Sequence, residues 1–144
     1  MVVFTIISIL VTGCKESNTI KIGTIMSTSG VVSTYGIHTR DAIKMAIEEI
    51  NAKGGILGKK VELIVEDDEK NPEKTMNALI KLATKDKVVA ILGGLTSDCT
   101  LAITKEAQQR NVLLFTPTST NDTVTDAGDL IFRSCFKDSF QGSV

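Results

Sequence analysis

Apolar positions along this chain alternate between the period of a strand and the period of a helix. The first strand-like segment, "IKIGTIM" (residues 20–26), is followed by a turn-rich stretch and then by apolar residues at helical spacing. These residues are Ile43, Ala46, Ile47 and Ile50. Gly54 and Gly55 supply the left-handed conformations that end a helix. The pattern therefore predicts a buried strand followed by a long helix.

A second strand and helix follow in the same order. The segment "KVELIVEDD" places Val61, Leu63 and Val65 on one face of a strand. Asn71 and Pro72 then have the order of a helix N-cap followed by proline at the first helical position. The apolar stripe of the predicted helix consists of Met76, Leu79, Ile80 and Ala83.

The third strand and helix are predicted from a continuous apolar run. Residues 88–94 ("VVAILGG") are typical of a strand that is covered on both faces. We expect Ser97 or Asp98 to cap the following helix, which runs through Gln109.

Two further strands complete the predicted sheet. "VLLFTP" predicts a fourth strand that ends at Pro117, residues 130–133 predict a short fifth strand, and "KDSFQG" begins another helix. Strands that alternate with helices predict the α/β class, here a doubly wound parallel sheet with right-handed crossovers. The last helix is incomplete within this chain, so we expect an incomplete fold.

The composition narrows the classes of function. The chain has 144 residues, 42% of them hydrophobic and 23% charged, as in a soluble domain of ordinary size. A formal net charge of -1 without a basic stripe argues against a nucleic-acid partner. One histidine, His38, and three cysteines provide no zinc-binding pattern, and we expect neither metal nor cofactor. We treat Cys99 and Cys135 as free, although sequence cannot supply the geometry that decides pairing.

Loops rich in hydroxyls and glycine follow three of the predicted strands. They read "STSGVVSTYG", "GGLTSDCT" and "TPTST". In an open parallel sheet, ligands bind beyond the carboxyl ends of the strands. The loops contain no Lys or Arg, so an anion there depends on N–H groups, hydroxyls and helix N-termini, which suits a carboxylate better than a polyphosphate. Each loop alone is equally explained by turns and caps; the coincidence of three favours a binding site.

Catalytic alternatives find little support in the motifs. The chain contains neither a dinucleotide-binding glycine motif nor a P-loop, and Ser97 does not lie in a nucleophile elbow. His38, at the beginning of the first helix, is expected to face solvent. The acidic run at residues 66–69 has oxygen ligands for a hard cation such as Mg²⁺, but we interpret it as a solvated strand end before a helix. We therefore expect that the protein is not an enzyme.

The N-terminal apolar run ends at a cysteine. A membrane-spanning helix takes about 20 apolar residues, so residues 1–13 are too few to form one. Their length and composition suit a secretory signal peptide. The segment "VTGC" resembles the lipobox of bacterial lipoproteins, in which the cysteine is acylated and the preceding bond is cut. The resemblance implies a signal peptide over residues 1–13, lipid on Cys14 and a polar tether over residues 14–19. The alternative is an ordinary buried strand with an incidental cysteine, and no basic residue precedes the run.

Several longer segments resemble one protein family in the same order. They are "IKIGTIMSTSG", "TYG", "INAKGGILGKKVELIVEDDEKNPEK", "VVAILGGLTSDCT", "LLFTPTST" and "DSFQG". Together these segments resemble the N-terminal lobe of the branched-chain amino acid (Leu/Ile/Val) binding proteins of ABC importers, which have a type I periplasmic-binding fold. This resemblance implies that residues 20–144 form the N-terminal lobe of a ligand-binding domain whose second lobe is absent.

The resemblance also implies the residues that bind the ligand. Ser97 would bind the ligand carboxylate through its hydroxyl and backbone. Thr118, Ser119 and Thr120 would hold the carboxylate and the ammonium group, and Tyr35 would line the end of the pocket that takes the ligand side chain.

The function implied is that of an extracytoplasmic solute-binding lipoprotein. It would be anchored by lipid on Cys14, capture a branched-chain amino acid and deliver it to an ABC-transporter permease, as a monomer when complete. Two departures from the family pattern, Val31 for a common proline and Ser119 for a small alanine, leave open a smaller or more polar amino acid, or an amide.

Two other classes of function stay open. One is an extracellular amino-acid or amide sensor domain of the same fold, and the other is an α/β enzyme that uses the same crevice. For a lone lobe we expect weak or no ligand binding, and poor solubility because apolar surface is exposed.

Overall fold

Five strands and four α-helices alternate in the structure, a computed structural model that describes residues 18–143. The elements are β1 (Thr19–Met26), α1 (Ser33–Ala52), β2 (Lys60–Asp67), α2 (Pro72–Lys81), β3 (Ala90–Gly93), α3 (Ser97–Gln109), β4 (Leu113–Thr116), β5 (Ile131–Arg133) and α4 (Asp138–Gln141). A turn of π-helix, Leu82–Asp86, continues α2, and a 3₁₀-helix, Asp122–Ala127, precedes β5. The predicted signal peptide and Cys14 lie outside the described residues. No helix within residues 18–143 is both long and apolar enough to cross a membrane.

All five strands form one parallel sheet in the order β2-β1-β3-β4-β5. Ile22 of β1 is aligned with Leu63 of β2 on one side and with Ala90 of β3 on the other. The order of strands along the chain therefore reverses at β1, and the crevice of a doubly wound sheet opens beyond the carboxyl ends of β1 and β3. The predicted fold class is confirmed.

The main core lies between the sheet and the helices α2 and α3. Its fully buried apolar members are Ile25, Leu79, Leu82, Ile91, Ile103, Leu114 and Val124. Right-handed crossovers place α1 on the opposite face, where it packs against β1 and β2. Two helical layers thus fix the positions of the strand ends that form the crevice.

One expectation about the third strand is wrong. The run from Val88 was expected to be covered on both faces, but β3 begins at Ala90 and Val89 is 61% exposed. Leu92 is only half-buried as well. The reason is that α1 covers β1 and β2, and no helix among residues 18–143 lies over the same face of β3.

Local signals at the helix ends are mostly confirmed. Gly54 and Gly55 have φ values of 100° and 80° after α1, as expected for a helix end. The side-chain oxygen of Asn71 accepts hydrogen bonds from the N–H groups of Glu73 (2.9 Å) and Lys74 (3.1 Å), which confirms this N-cap.

The predicted cap of α3 is wrong by one or two residues. Thr96 is the N-cap, with extended backbone angles, and Ser97 is already the first helical residue. The Thr96 carbonyl accepts a hydrogen bond from the N–H of Thr100 at 2.9 Å. Three consecutive residues able to cap (Thr96, Ser97, Asp98) make the start of this helix ambiguous in the sequence.

Candidate functional site

The hydroxyl-rich loops meet at the carboxyl edge of the sheet around a small cavity. Its volume is about 130 Å³, and its lining consists of Val32, Tyr35, Leu95, Thr96 and Thr118. The lining thus comes from the loops after β1, β3 and β4, as the sequence predicts. Because Thr96 is the N-cap of α3, the start of this helix lies beside the cavity and favours a negative charge there, and the Asp98 carboxylate already accepts from the N–H groups of Asp98 and Cys99.

A buried cluster of hydroxyls supports the loops from below. The hydroxyls of Thr100 and Ser119 lie 2.6 Å apart, and Thr116 donates a hydrogen bond to Ser119 Oγ at 2.8 Å. Thr116 Oγ1 also lies 2.9 Å from the Gly94 carbonyl oxygen, which accepts from it. Thr100, Thr116 and Ser119 are fully buried. The cluster fixes the loop after β4 against the loop after β3.

Ser97 and Thr118, two of the predicted ligand-binding residues, are brought together by contacts between the same loops. The Thr118 hydroxyl donates a hydrogen bond to the Leu95 carbonyl. Ser97 Oγ accepts a hydrogen bond from the N–H of Asn121 at 3.3 Å. Both side chains therefore lie at the junction of the β3 and β4 loops, where Thr118 lines the cavity and Ser97 does not.

Three other predicted residues occupy different depths of the site. Tyr35, in the first turn of α1, is 73% exposed at the mouth of the cavity. Thr120 is half-buried, and its carbonyl accepts a hydrogen bond from the N–H of Asp138 at 2.9 Å. Ser119 is fully buried; its N–H donates to Thr116 Oγ1 at 3.2 Å, and its hydroxyl belongs to the cluster described above. Ser119 thus supports the loop from beneath.

Thr96 lines the cavity, and its hydroxyl lies beside the Asp98 carboxylate. Its Oγ1 is buried and finds no partner of acceptable hydrogen-bond geometry within residues 18–143. The same hydroxyl is close enough to the Asp98 carboxylate to hold the pKa of Asp98 below its ordinary value, against the opposing effect of burial. The Thr96 hydroxyl therefore interacts with Asp98, and its buried oxygen is not exposed to the cavity.

The acidic run after β2 is structural, and its interpretation as wholly solvated is wrong for Asp68. This carboxylate is fully buried and accepts hydrogen bonds from Ser27 Oγ (2.6 Å), Thr75 Oγ1 (2.9 Å) and the N–H of Lys70 (3.0 Å). It joins the loop after β1 to the start of α2. Within residues 18–143, no group of three or more His, Cys, Asp or Glu side chains is arranged to hold a metal ion.

The neighbouring Asp67 is exposed but also joins loops. Partial burial raises the pKa of Asp67, but hydrogen bonds from the N–H groups of Glu69 (2.9 Å) and Thr28 (3.0 Å) help to bring it below its ordinary value. Asp67 is therefore kept ionised beside the loop that carries Tyr35.

Arg133 is an organising residue that the sequence analysis missed. At the carboxyl end of β5, its guanidinium donates to the carbonyls of Ser119 (3.2 Å), Asn121 (2.8 Å) and Asp122 (3.0 Å) and to Thr125 Oγ1 (3.1 Å). It therefore holds the loop that contains Thr118 and Thr120 in one shape. Its place at a strand end beside the hydroxyl loops was the only signal in the sequence.

The histidine and the two cysteines within residues 18–143 do not line the cavity. His38 is exposed on α1, as expected. Cys99 and Cys135 are both free, and burial raises the pKa of the Cys99 thiol. Among the described residues, no carboxylate, imidazole, amine or thiol lines the cavity.

The chain matches a family model described as "Periplasmic binding protein" over residues 19–140. It is 34% identical over 126 residues to a Leu/Ile/Val-binding protein of Rhizobium johnstonii, a match that covers 87% of this chain and 34% of the relative. It is also 34% identical over 129 residues to a leucine-, isoleucine-, valine-, threonine- and alanine-binding protein of Pseudomonas aeruginosa, covering 89% of this chain and 34% of that protein.

Solved structures show the same partial match. The crystal structure of a branched-chain amino acid transporter substrate-binding protein of Streptococcus pneumoniae in complex with isoleucine is 36% identical, with a TM-score of 0.81, over 84% of this chain and 35% of that one. A leucine-binding protein of Thermotoga maritima is 36% identical with a TM-score of 0.80, over 86% of this chain and 35% of that chain. The chain thus spans about a third of the length of these relatives.

Proposed function

Because this chain belongs to the periplasmic binding protein family, we propose that it acts as the N-terminal lobe of an extracytoplasmic protein that captures an amino acid. We propose a branched-chain amino acid as the ligand and an ABC importer as the recipient. The two relatives that share 34% identity with this chain are named for binding leucine, isoleucine and valine, which supports this choice of ligand.

The observation that carries this proposal is the composition of the cavity. Val32, Tyr35 and Leu95 offer apolar surface for an aliphatic side chain, and Thr96, the N-cap of α3, places the start of this helix at the cavity wall. A carboxylate fits at a helix N-terminus, because N–H groups and the helix dipole favour a negative charge. An amino acid with an aliphatic side chain presents both halves of this chemistry in one small molecule.

The roles of the individual residues follow from their depth. Ser97, the first residue of α3, would donate to the ligand carboxylate through its hydroxyl and N–H. Thr118 and Thr120 would hold the carboxylate and ammonium, with Ser119 holding their loop in place from below through the buried hydroxyl cluster. Tyr35 would cover the aliphatic end, since it is largely exposed at the mouth.

The location proposed is the outer face of the cell membrane or the periplasm. The lipobox-like segment supports a signal peptide over residues 1–13, lipid on Cys14 and a tether through residue 19, followed by the lobe over residues 20–144. The partner would be a permease in the membrane, and the completed protein a monomer. Mass spectrometry of the N-terminal peptide tests the anchor: an acylated Cys14 supports it, and an unprocessed Met1 contradicts it.

Weak affinity is expected for this lobe on its own. Pockets that bind small ligands well bury most of the ligand surface, and this cavity is open on one side of a single lobe. We expect a Kd for isoleucine on the order of 1 mM, which corresponds to a favourable binding free energy of about 4 kcal/mol.

A matched pair of threonine variants tests the site. Thr118 and Thr84 each donate a hydroxyl hydrogen bond to a main-chain carbonyl, but Thr84 lies in the π-helical turn away from the cavity. We expect Thr118→Val to weaken isoleucine binding about fivefold, because a hydrogen bond is worth about 1 kcal/mol. Ligand-observed NMR titration measures the affinities. The proposal fails if Thr118→Val binds like the unchanged chain or if Thr84→Val loses as much affinity.

A further inference from the structure

The amino-terminal edge of the sheet, opposite the cavity, carries exposed lysines together with exposed apolar side chains. We call this surface the basic edge. Its exposed lysines are Lys53, Lys60, Lys85 and Lys87, Lys21 is half-buried beside them, and the exposed apolar residues are Ile56, Leu57 and Val89. Leu57 is 93% exposed and Val89 61% exposed, beside the exposed lysines.

These residues are close together because they precede or begin three adjacent strands. The N–H of Val89 donates to the carbonyl of Lys21 at 3.0 Å, which joins the start of β3 to β1. Lys85 and Lys87 line the same surface depression of about 460 Å³ as Lys21. On the other side of β1, a tight turn before Lys60 presents Leu57 at its tip. Adjacent strands are about 5 Å apart, so the basic edge is one continuous surface.

The charge of the basic edge is not neutralised by neighbouring acids. None of its five lysines forms an ion pair in the part of the chain that the structure describes. Asp86, the acidic residue in the depression, lies 3.2 Å from the ammonium group of Lys81, which also pairs with Glu66 at 2.5 Å. Asp86 is therefore engaged by Lys81, and Glu62, which is aligned with Lys21 on the neighbouring strand, forms no ion pair with it.

The opposite edge, around the cavity, has the reverse charge. Its acidic residues are Asp67, Asp68, Glu69, Asp98, Asp122 and Asp138, and its basic residues are Lys70, Arg133 and Lys137. A net charge of -1 thus conceals a separation of charge between the two ends of the strands. An anionic surface would attract the basic edge and repel the edge with the cavity.

From this arrangement we propose that the basic edge docks on the anionic lipid surface of a membrane. Lysines attract anionic headgroups, and Leu57 and Val89 can enter the boundary between headgroups and acyl chains. A soluble polyanion would use the lysines and leave these apolar side chains in water, so a lipid surface fits better. Docking in this orientation keeps the cavity on the far side, open to solutes.

The proposal rests on residues 18–143 and on neither the ligand nor the lipid anchor. It is compatible with the anchor, however. Cys14 precedes Thr19 by five residues, so an extended tether reaches at most about 18 Å. Thr19 lies at the basic edge, and lipid on Cys14 would hold this edge near the bilayer.

Vesicle flotation with charge variants of the whole chain tests the proposal. The test variant combines Lys21→Gln, Lys60→Gln and Lys85→Gln, one for each of the three strands. The control variant combines Lys44→Gln, Lys70→Gln and Lys137→Gln, which removes the same charge elsewhere on the surface. Residues 1–17 are identical in all variants, so their own contribution to membrane binding cancels in the ratios.

We expect the unchanged chain to bind vesicles of phosphatidylcholine and phosphatidylglycerol more tightly than vesicles of phosphatidylcholine alone. The test variant should lose this preference, with binding at least ~10-fold weaker, since each lysine near the surface contributes roughly fivefold. The control should stay within about twofold, because its lysines are remote from the lipid. Circular dichroism checks that both variants are folded.

An apolar variant gives a second, independent result. Leu57 has a φ of 52°, a conformation that asparagine also accepts, so Leu57→Asn should fold and bind both vesicle types less tightly. The proposal is overturned if the two lysine variants lose equal affinity, or if the unchanged chain shows no preference for the anionic vesicles. The proposal is also overturned if the unchanged chain is retained on heparin but shows no preference for the anionic vesicles, because the basic edge would then bind a soluble polyanion.

Discussion

Gly36 is the residue at which α1 comes closest to the end of β1. A Cβ atom at this position would lie 2.0 Å from the carbonyl oxygen of Ser27, far inside van der Waals contact. The obstructing atom belongs to the backbone, so it cannot rotate away. This close approach holds the loop after β1, with Tyr35, against the sheet.

We expect Gly36→Ala to lower the free energy of unfolding by about 3 kcal/mol, the upper end of what overpacking costs. Gly142→Ala is the matched control, because its added Cβ would meet nothing nearer than 3.7 Å. Urea unfolding of the two variants measures the difference. Similar midpoints for both would show that α1 does not pack as closely as described.

The elements that could be predicted from the sequence are those with local chemical signals. Asn71 and Pro72 mark the start of α2, and the side chain of Asn71 makes the expected cap. Gly54 and Gly55 likewise mark the end of α1. Each signal acts within one turn of its own helix, so neighbouring elements are not needed to interpret it.

Features that depend on distant elements could not be predicted in this way. Arg133 holds three carbonyls of the loop after β4, and Asp68 holds Ser27 and Thr75, but each contact joins segments far apart in sequence. The exposure of Val89 depends on where α1 packs. For the candidate site, the sequence indicated the three loops that meet around the cavity, whereas the burial of Ser119 beneath them appears only in three dimensions.

At the scale of the whole molecule, the two edges of the sheet have different chemistry. The carboxyl edge combines a small apolar cavity, hydroxyls and acidic residues, and the amino edge combines lysines with exposed Leu57. A third surface, the outer face of β3 to β5, exposes 45% of Phe132. Apolar surface of this kind favours association of the chain on its own.

The central claim is that the cavity at the carboxyl edge receives an amino acid. Amide NMR spectra of the isotope-labelled chain, recorded as isoleucine is added, test this claim directly. Our account predicts that the shifts cluster at Ser97, Thr118 and Thr120, with smaller changes at Tyr35 and none at Lys85. Shifts centred on the basic edge would contradict it. So would the absence of any shift at the cavity residues when the isoleucine concentration is well above the expected Kd of about 1 mM.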